Sequence, residues 1–302
     1  MLDFKQIKKL LKQDNTNLPV VKVALLGDTA TQFLATAIRG VGVERGYNIN
    51  LFEAEYNQVE RQVLDPTSDL HAFEAKFTVV FQSSHKLLEQ YSLNELTNER
   101  VNELMSGRLN FVRTLCETTE GKIIYFNYPE IDDTVFGQFA TRTELSFTWQ
   151  IRQLNYELMR LTQEYPNLYI CDIAALQNQF GRDWMFDSSV YVSTEMVLSL
   201  DALPYVGSRV MDIICAIEGK FKKCLILDLD NTVWGGGVGD DGWENIQVGH
   251  GLGIGKAYTE FQEWVKKLKN RGIIIAVCSK NDEDKAKEPF EKNPEMVLRL
   301  DD

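Results

Sequence analysis

Leu225-Ile226-Leu227-Asp228-Leu229-Asp230-Asn231-Thr232 decides how the rest of this chain is read. An apolar run ends in two carboxylates spaced i, i+2, a hydroxyl follows, and Gly235, Gly236, Gly237 and Gly239 come next. Apolar residues that run straight into acidic ones predict a buried strand whose carboxyl end opens into a site. If the strand continues to Asp230, side chains at i and i+2 share one side and the two carboxyl groups crowd a small space. Two neighbouring anions repel unless a cation or a shared proton compensates, and Mg2+ prefers oxygen ligands of this kind.

Downstream, Val238-Gly239-Asp240-Asp241-Gly242 is turn-rich and is expected to form a small hairpin with Trp243 to Val248. Gly255 to Leu268 has helical spacing, and Ile273 to Cys278 is continuously apolar, as in a parallel strand covered on both faces. Ser279-Lys280-Asn281 stands at that strand's end, and a right-handed crossover brings Ser279 beside Asp228. Two strands and two helices make a poor core, so the chain is expected to be a fragment cut inside its second domain.

Upstream, Val20 to Leu26, Tyr47 to Phe52, Phe77 to Phe81, Lys122 to Phe126 and Asn167 to Ile173 read as strands. Helical spacing falls at about 3–13, from Phe33 to Ile38, from His85 to Thr118 with a break near Ser106-Gly107, and from Leu145 to Glu164. Gly181 to Thr194 is expected to be an ordered loop, and a last helical region runs from about Ser193 to Glu218 with an interruption near Pro204. This rhythm is that of a doubly wound α/β domain, residues 1–220, followed by a second unit, residues 221–302.

At 302 residues, 44% of them hydrophobic and 25% charged, the chain has the composition of a globular protein of about two domains. A net charge of −12 argues against binding to nucleic acid or to an anionic membrane surface. Cys116, Cys171, Cys215, Cys224 and Cys278 include no CxxC pair and read as reduced thiols. No stretch has the length of a membrane span, and the first residues lack the regions of a secretory signal. The expected location is the cytoplasm.

An aspartate can attack a phosphoryl group when a cation offsets the charge, and a second carboxyl two residues on can protonate the leaving group and later activate water. Thr232 can steady the turn or bond the second aspartate, and Ser279 can donate to a phosphoryl oxygen. A solvated acidic turn is the competing reading. The apolar strand before Asp228, and a second strand ending in a hydroxyl, weigh against it.

Asp228-Leu229-Asp230-Asn231-Thr232 resembles the first motif of the haloacid dehalogenase (HAD) superfamily. The continuation Val233-Trp234-Gly235-Gly236-Gly237-Val238-Gly239-Asp240-Asp241-Gly242 resembles its FkbH-like branch. The resemblance implies Asp228 as nucleophile and Asp230 as general acid/base, with Mg2+ held by the Asp228 side chain and the Asp230 carbonyl. It also implies that Asn231, Thr232 and Ser279 bind phosphate. The family's third and fourth motifs lie further downstream. Mg2+ binding is therefore expected to be weak or absent in this fragment, and the fragment inactive. The implied activity is that of a phosphatase or phosphotransferase. It would remove phosphate from a glyceryl-type acyl phosphate and pass the acyl group to an acyl carrier protein. The short excursion between Asp230 and Gly255 leaves no room for a large cap, which suits a carrier-borne substrate.

Gly27-Asp28-Thr29 after a strand resembles the opening block of SGNH (GDSL-type) hydrolases, with Thr29 in place of their serine. Together the resemblances imply a flavodoxin-like, SGNH-type three-layer α/β/α domain followed by part of a HAD-type Rossmann-like α/β domain. The late Asp-x-x-His has its closest counterpart in Asp187-Ser188-Ser189-Val190, with valine where the base belongs, and no histidine occurs between His85 and His250. Asp28 and Thr29 are thus expected to form a degenerate site in a domain that binds or positions a partner. An esterase acting through Thr29 is the rival enzyme reading, and a non-catalytic scaffold is the rival from another class. His71 and His85 read as surface or helix-start residues. His250, among glycines, is a candidate to approach substrate. Gly251-Leu252-Gly253-Ile254-Gly255 lacks the strand and the acidic residue of a dinucleotide fingerprint.

Overall fold

The structure, a computed structural model, describes residues 2–93, 101–131 and 133–302. It divides into two compact units, Met1–Gly219 and Lys220–Asp302. The first opens with α1 (Phe4–Leu10), β1 (Val20–Gly27), α2 (Gln32–Glu44) and β2 (Asn48–Glu53). Then come α3 (Val59–Leu64), α4 (Asp69–Phe73), β3 (Phe77–Phe81), α5 (Ser84–Leu93) and α6 (Glu103–Thr118). After these follow β4 (Lys122–Phe126), α7 (Phe147–Glu164), β5 (Leu168–Cys171), α8 (Ala174–Phe180), α9 (Arg182–Met185), α10 (Ser188–Thr194) and α11 (Ala202–Ile217).

The five strands run parallel in the order β2-β1-β3-β4-β5, which is the flavodoxin-like doubly wound order. Alternating side chains feed two cores, one on each face of the sheet. Val23, Leu25, Phe77 and Val79 pack with Ile38 of α2 and Val210 of α11. Ala24, Leu26, Val80 and Ile123 pack with Val112 of α6 and Leu154 of α7. The α2–α11 contact is close: a Cβ at Gly207 would lie 3.0 Å from the Ala37 carbonyl carbon.

Three local expectations need correction. α6 runs unbroken through Ser106-Gly107, where Ser106 Oγ donates to the Asn102 carbonyl at 2.7 Å and buried Arg108, Leu109 and Val112 anchor the next turn. Residues 94–100 of the long helix expected there lie outside the described residues. Gly181 to Thr194 is not a loop but holds α9 and α10, and Asp187 caps α10 by accepting from the backbone N–H groups of Ser189 (3.0 Å) and Val190 (3.2 Å). The last helix starts at Ala202 rather than Ser193, because Glu195 adopts φ 58° and ends α10. Pro204 falls in its first turn, where no N–H is needed.

The second unit contains β6 (Cys224–Leu227), α12 (Val238–Asp241), α13 (Ile254–Asn270), β7 (Ile274–Val277) and α14 (Glu283–Lys292). β6 and β7 pair in parallel, with Leu227 opposite Val277. One face of this pair packs Leu225, Leu227 and Ile275 with Val265 of α13 and Phe290 of α14. The other is open: Ile226 is 66% and Ile274 64% exposed, so the expectation of cover on both faces does not hold. Gly235 and Gln247 exchange backbone hydrogen bonds of 3.0 and 2.7 Å, but the one-turn α12 lies between them instead of a hairpin. Among the described residues no helix is long and apolar enough to cross a membrane.

Candidate active site

β6 stops at Leu227, short of the carboxylates, but the alternation of its side chains continues. Leu227 and Leu229 are buried, Asp228 is exposed and Asp230 half-buried. The two carboxylates have different environments. Asp228 Oδ1 accepts the N–H of its neighbour Leu229 at 2.8 Å, and its side chain faces solvent.

Asp230 is clamped. Its Oδ1 accepts from Trp234 Nε1 (3.0 Å) and from the Val238 N–H (3.1 Å), and its Oδ2 accepts from Asn281 Nδ2 (2.8 Å). Burial pushes this carboxyl up, but the bonds from Asn281, Val238 and Trp234 outweigh burial and hold it below its ordinary value. Asp230 therefore stays ionised at neutral pH.

The turn between the aspartates and the glycines is built by Asn231. It adopts φ 55°, and its Oδ1 accepts the Gly236 N–H at 3.0 Å. Gly236 is itself at φ 92°, and a Cβ there would come within 2.9 Å of Asp241 Oδ2, so this position calls for glycine. The Thr232 N–H donates to the Leu229 carbonyl at 3.1 Å, while its hydroxyl is not among the donors to Asp230. At the end of β7, Ser279 Oγ accepts the Asn281 N–H at 3.2 Å. The parallel register, extended by the Cys278 N–H to the Leu227 carbonyl at 2.8 Å, brings Ser279 and Asn281 to the same sheet end as the aspartates. His250 is exposed in its glycine turn.

A hard divalent cation fits this strand end only in part. Both Asp230 carboxylate oxygens are occupied, and among the described residues no group of three or more His, Cys, Asp or Glu side chains converges on one point. Asp228 would be the side-chain ligand, with main-chain carbonyls and water for the rest, a donor set that Mg2+ accepts.

In the first unit, Asp28 directly follows β1 and is 7% exposed. The Ser83 N–H reaches both its carboxylate oxygens, at 2.9 and 3.0 Å. Burial pushes this carboxyl up to about 6, although the Ser83 N–H and the Arg108 charge pull it back. Thr29 is 1% exposed, and its hydroxyl has no partner among the described residues. His85, the second residue of α5, is packed between Phe186 (4.9 Å) and Tyr191 (4.7 Å). Burial pushes its imidazole down to about 4, and its Nδ1 has no partner among the described residues. Asp187 is committed to capping α10. Among the described residues no base therefore addresses the Thr29 hydroxyl. His71 Nε2 lies 3.2 Å from the Val63 carbonyl in α3, a structural contact.

Sequence reasoning missed two residues. Asn281 carries no pattern that announces a partner 51 positions away. Arg108 left a fainter trace: it sits four residues before Val112 and seven before Leu115, on the apolar stripe of α6 where a charge is out of place.

The model of the family described as "FkbH, N-terminal domain" matches residues 22–215. The chain is similar to the solved N-terminal part of the protein BF1531 from Bacteroides fragilis, described as containing a phosphatase domain complexed with Mg. The two are 66% identical, with a TM-score of 0.93, over 100% of this chain and 80% of that one. More distant is the catalytic domain of a peptidoglycan O-acetyltransferase from Streptococcus pneumoniae, at 12% identity and TM-score 0.40, over 67% of this chain and 97% of that one. An acetyl xylan esterase stands at 13% and 0.42, over 64% and 100%. No curated protein matches the chain.

Proposed function

This chain belongs to the FkbH family, and on that premise we propose that its second unit carries the reacting aspartate of a Mg2+-dependent phosphatase that uses acyl phosphates. The phosphatase domain and the Mg of the Bacteroides relative support the reading. So does the likeness of Asp228-Leu229-Asp230-Asn231-Thr232 to the first haloacid dehalogenase motif.

The observation that carries it is the unequal state of the two aspartates. Asp228 is open to solvent and is the nucleophile: its carboxylate oxygen bonds to phosphorus as the bond from phosphorus to the leaving oxygen breaks. Asp230, held ionised by three donors, is a poor proton donor at neutral pH. An alkyl phosphate releases an alkoxide and needs that proton. An acyl phosphate releases a carboxylate and does not. The ionised Asp230 is suited instead to take a proton from the water that later attacks the phosphoaspartate. Mg2+ bound at Asp228 supplies positive charge that offsets the repulsion between carboxylate and phosphate. Ser279 and the N–H groups around it are the donors for the phosphoryl oxygens.

The finer reading names the substrate as a glyceryl-type acyl phosphate and the acceptor as a carrier protein. With a carrier thiolate as acceptor, the carbon–sulfur bond forms and the carbon–oxygen bond to phosphate breaks, so phosphate leaves intact; this step competes with phosphorylation of Asp228, which releases the acyl group as a free carboxylate. The exposed Asp228, with only the one-turn α12 between Asp230 and α13, leaves access for a bulky carrier.

The test compares phosphate release from acetyl phosphate and from glycerol phosphate by the full-length protein with Mg2+. Acetyl phosphate should be the better substrate by about tenfold or more, and Asp228→Asn should abolish its use. Equal use of both phosphates would refute the leaving-group argument. No release from either, with or without a carrier, would favour a scaffold.

A further inference from the structure

At the carboxyl ends of β1 and β3 the first unit holds a cavity of about 380 Å3, whose lining includes Asp28, Glu60, Gln82, Lys86, Gln90 and Arg108. Arg108 is 7% exposed, yet among the described residues its guanidinium makes a single hydrogen bond, 3.1 Å to Gln90 Oε1. Among the described residues no carboxylate forms an ion pair with it. The charges of Asp28 and Glu60 act on this guanidinium without an ion-pair contact, so its remaining N–H groups stay open to an oxyanion. Gln82 is 4% exposed. Its Oε1 accepts from Tyr125 Oη at 2.7 Å, and that hydroxyl lies 2.6 Å from Tyr128 Oη. The Gln82 Nε2 group is left without an acceptor among the described residues. Two nearly buried side chains thus line one cavity with donors unspent. Lys86 is already committed to Glu89 (3.1 Å) and Glu195 (3.2 Å).

We propose that this cavity binds a small hydroxylated carboxylate, with Arg108 and Gln82 donating to the carboxylate and Glu60 accepting from the hydroxyl. The guanidinium fork matches a carboxylate in a way that a point charge does not. The volume admits a molecule of a few carbons. Asp28, Glu60 and Glu89 outnumber Lys86 and Arg108 by one in the lining, so a phosphate dianion meets more repulsion than a carboxylate monoanion, whose binding rests on the hydrogen bonds from Arg108 and Gln82. The ligand is held and not turned over, because the Thr29 hydroxyl beside Asp28 is buried without a base. The residues that line the cavity all belong to the first unit.

Calorimetry on the whole protein without Mg2+ tests this, with lactate as the probe and propionate and inorganic phosphate as comparators. Lactate should bind saturably, propionate about fivefold more weakly for want of the hydroxyl, and phosphate more weakly than lactate. Arg108→Gln should weaken lactate binding roughly tenfold or more. Gln90→Ala alters only the group that orients the guanidinium and leaves the buried charge in place. It should weaken binding about threefold even if Arg108→Gln does not fold. Asp228→Asn should leave lactate binding unchanged while abolishing phosphate release, so this inference and the phosphatase reading fail separately. No saturable lactate binding, undiminished binding in Gln90→Ala, or phosphate binding tighter than lactate would each overturn it.

Discussion

Asn281 donates its side-chain amide to Asp230 Oδ2 at 2.8 Å, and so ties the turn after β7 to the turn after β6. Together with Trp234 and Val238 it fixes both the direction and the ionisation of the second aspartate. Of these three donors, two are side chains that substitution can remove.

Asn281→Ala should destabilise the second unit by about 1–2 kcal/mol, as expected for a lost bond to a charged, half-buried acceptor. The sign with pH follows from the direction of the Asp230 shift. Its carboxyl is held below the ordinary 3.8, so it contributes stability above that value and loses it as pH falls through the lower folded value. Asn281→Ala should narrow that gap. Denaturant unfolding at neutral pH and at about pH 3 measures it.

Trp234 is fully buried and packs edge-on against Phe290, with ring centroids 5.5 Å apart. Trp234→Phe keeps most of the ring and removes the donor to Asp230, at a cost of about 1 kcal/mol. Trp234→Ala empties the core beside it, at a cost of about 3–5 kcal/mol. No loss in Trp234→Phe would mean that the indole N–H contributes nothing.

Much of this was legible in the chain itself. Four strands of the first sheet are short apolar runs and β2 alternates polar and apolar residues, both patterns that mark strands. Asp228, Asp230 and Ser279 were placed at one sheet end by counting along two apolar strands. Side-chain hydrogen bonds between distant positions were not legible. Asn281 to Asp230 depends on the final geometry of two turns, and Asn231 gave no sign that its amide would be used by Gly236. Helix limits around Glu195 and Pro204 were misjudged, because a left-handed residue other than glycine has no spacing to betray it. Arg108 stood in plain sight as a charge on a buried stripe.

Asp28 gives the first unit the opposite pH response. Its carboxyl is raised from 3.8 to about 6, so the stability it contributes is fully present below about 4 and lost as pH rises through about 6. The shift corresponds to roughly 2–3 kcal/mol at neutral pH. Asp28→Asn keeps an oxygen for the Ser83 N–H and removes the buried charge. It should stabilise the unit at pH 8 more than at pH 5, as read from unfolding curves at the two values.

Thr29→Val replaces a buried hydroxyl that has no partner among the described residues with a methyl group. The variant should be more stable by about 1 kcal/mol. Neither protein should hydrolyse p-nitrophenyl acetate above the uncatalysed rate. Hydrolysis by the wild type that Thr29→Val abolishes would restore the esterase reading.

The phosphatase reading rests on Asp228 as the atom that receives phosphate. Acid-quenching the full-length protein during turnover of acetyl phosphate with Mg2+, then mapping peptides by mass, should find a phosphate adduct on Asp228 and none in Asp228→Asn. Phosphate release that continues in Asp228→Asn, with no adduct on the wild-type peptide, would contradict it.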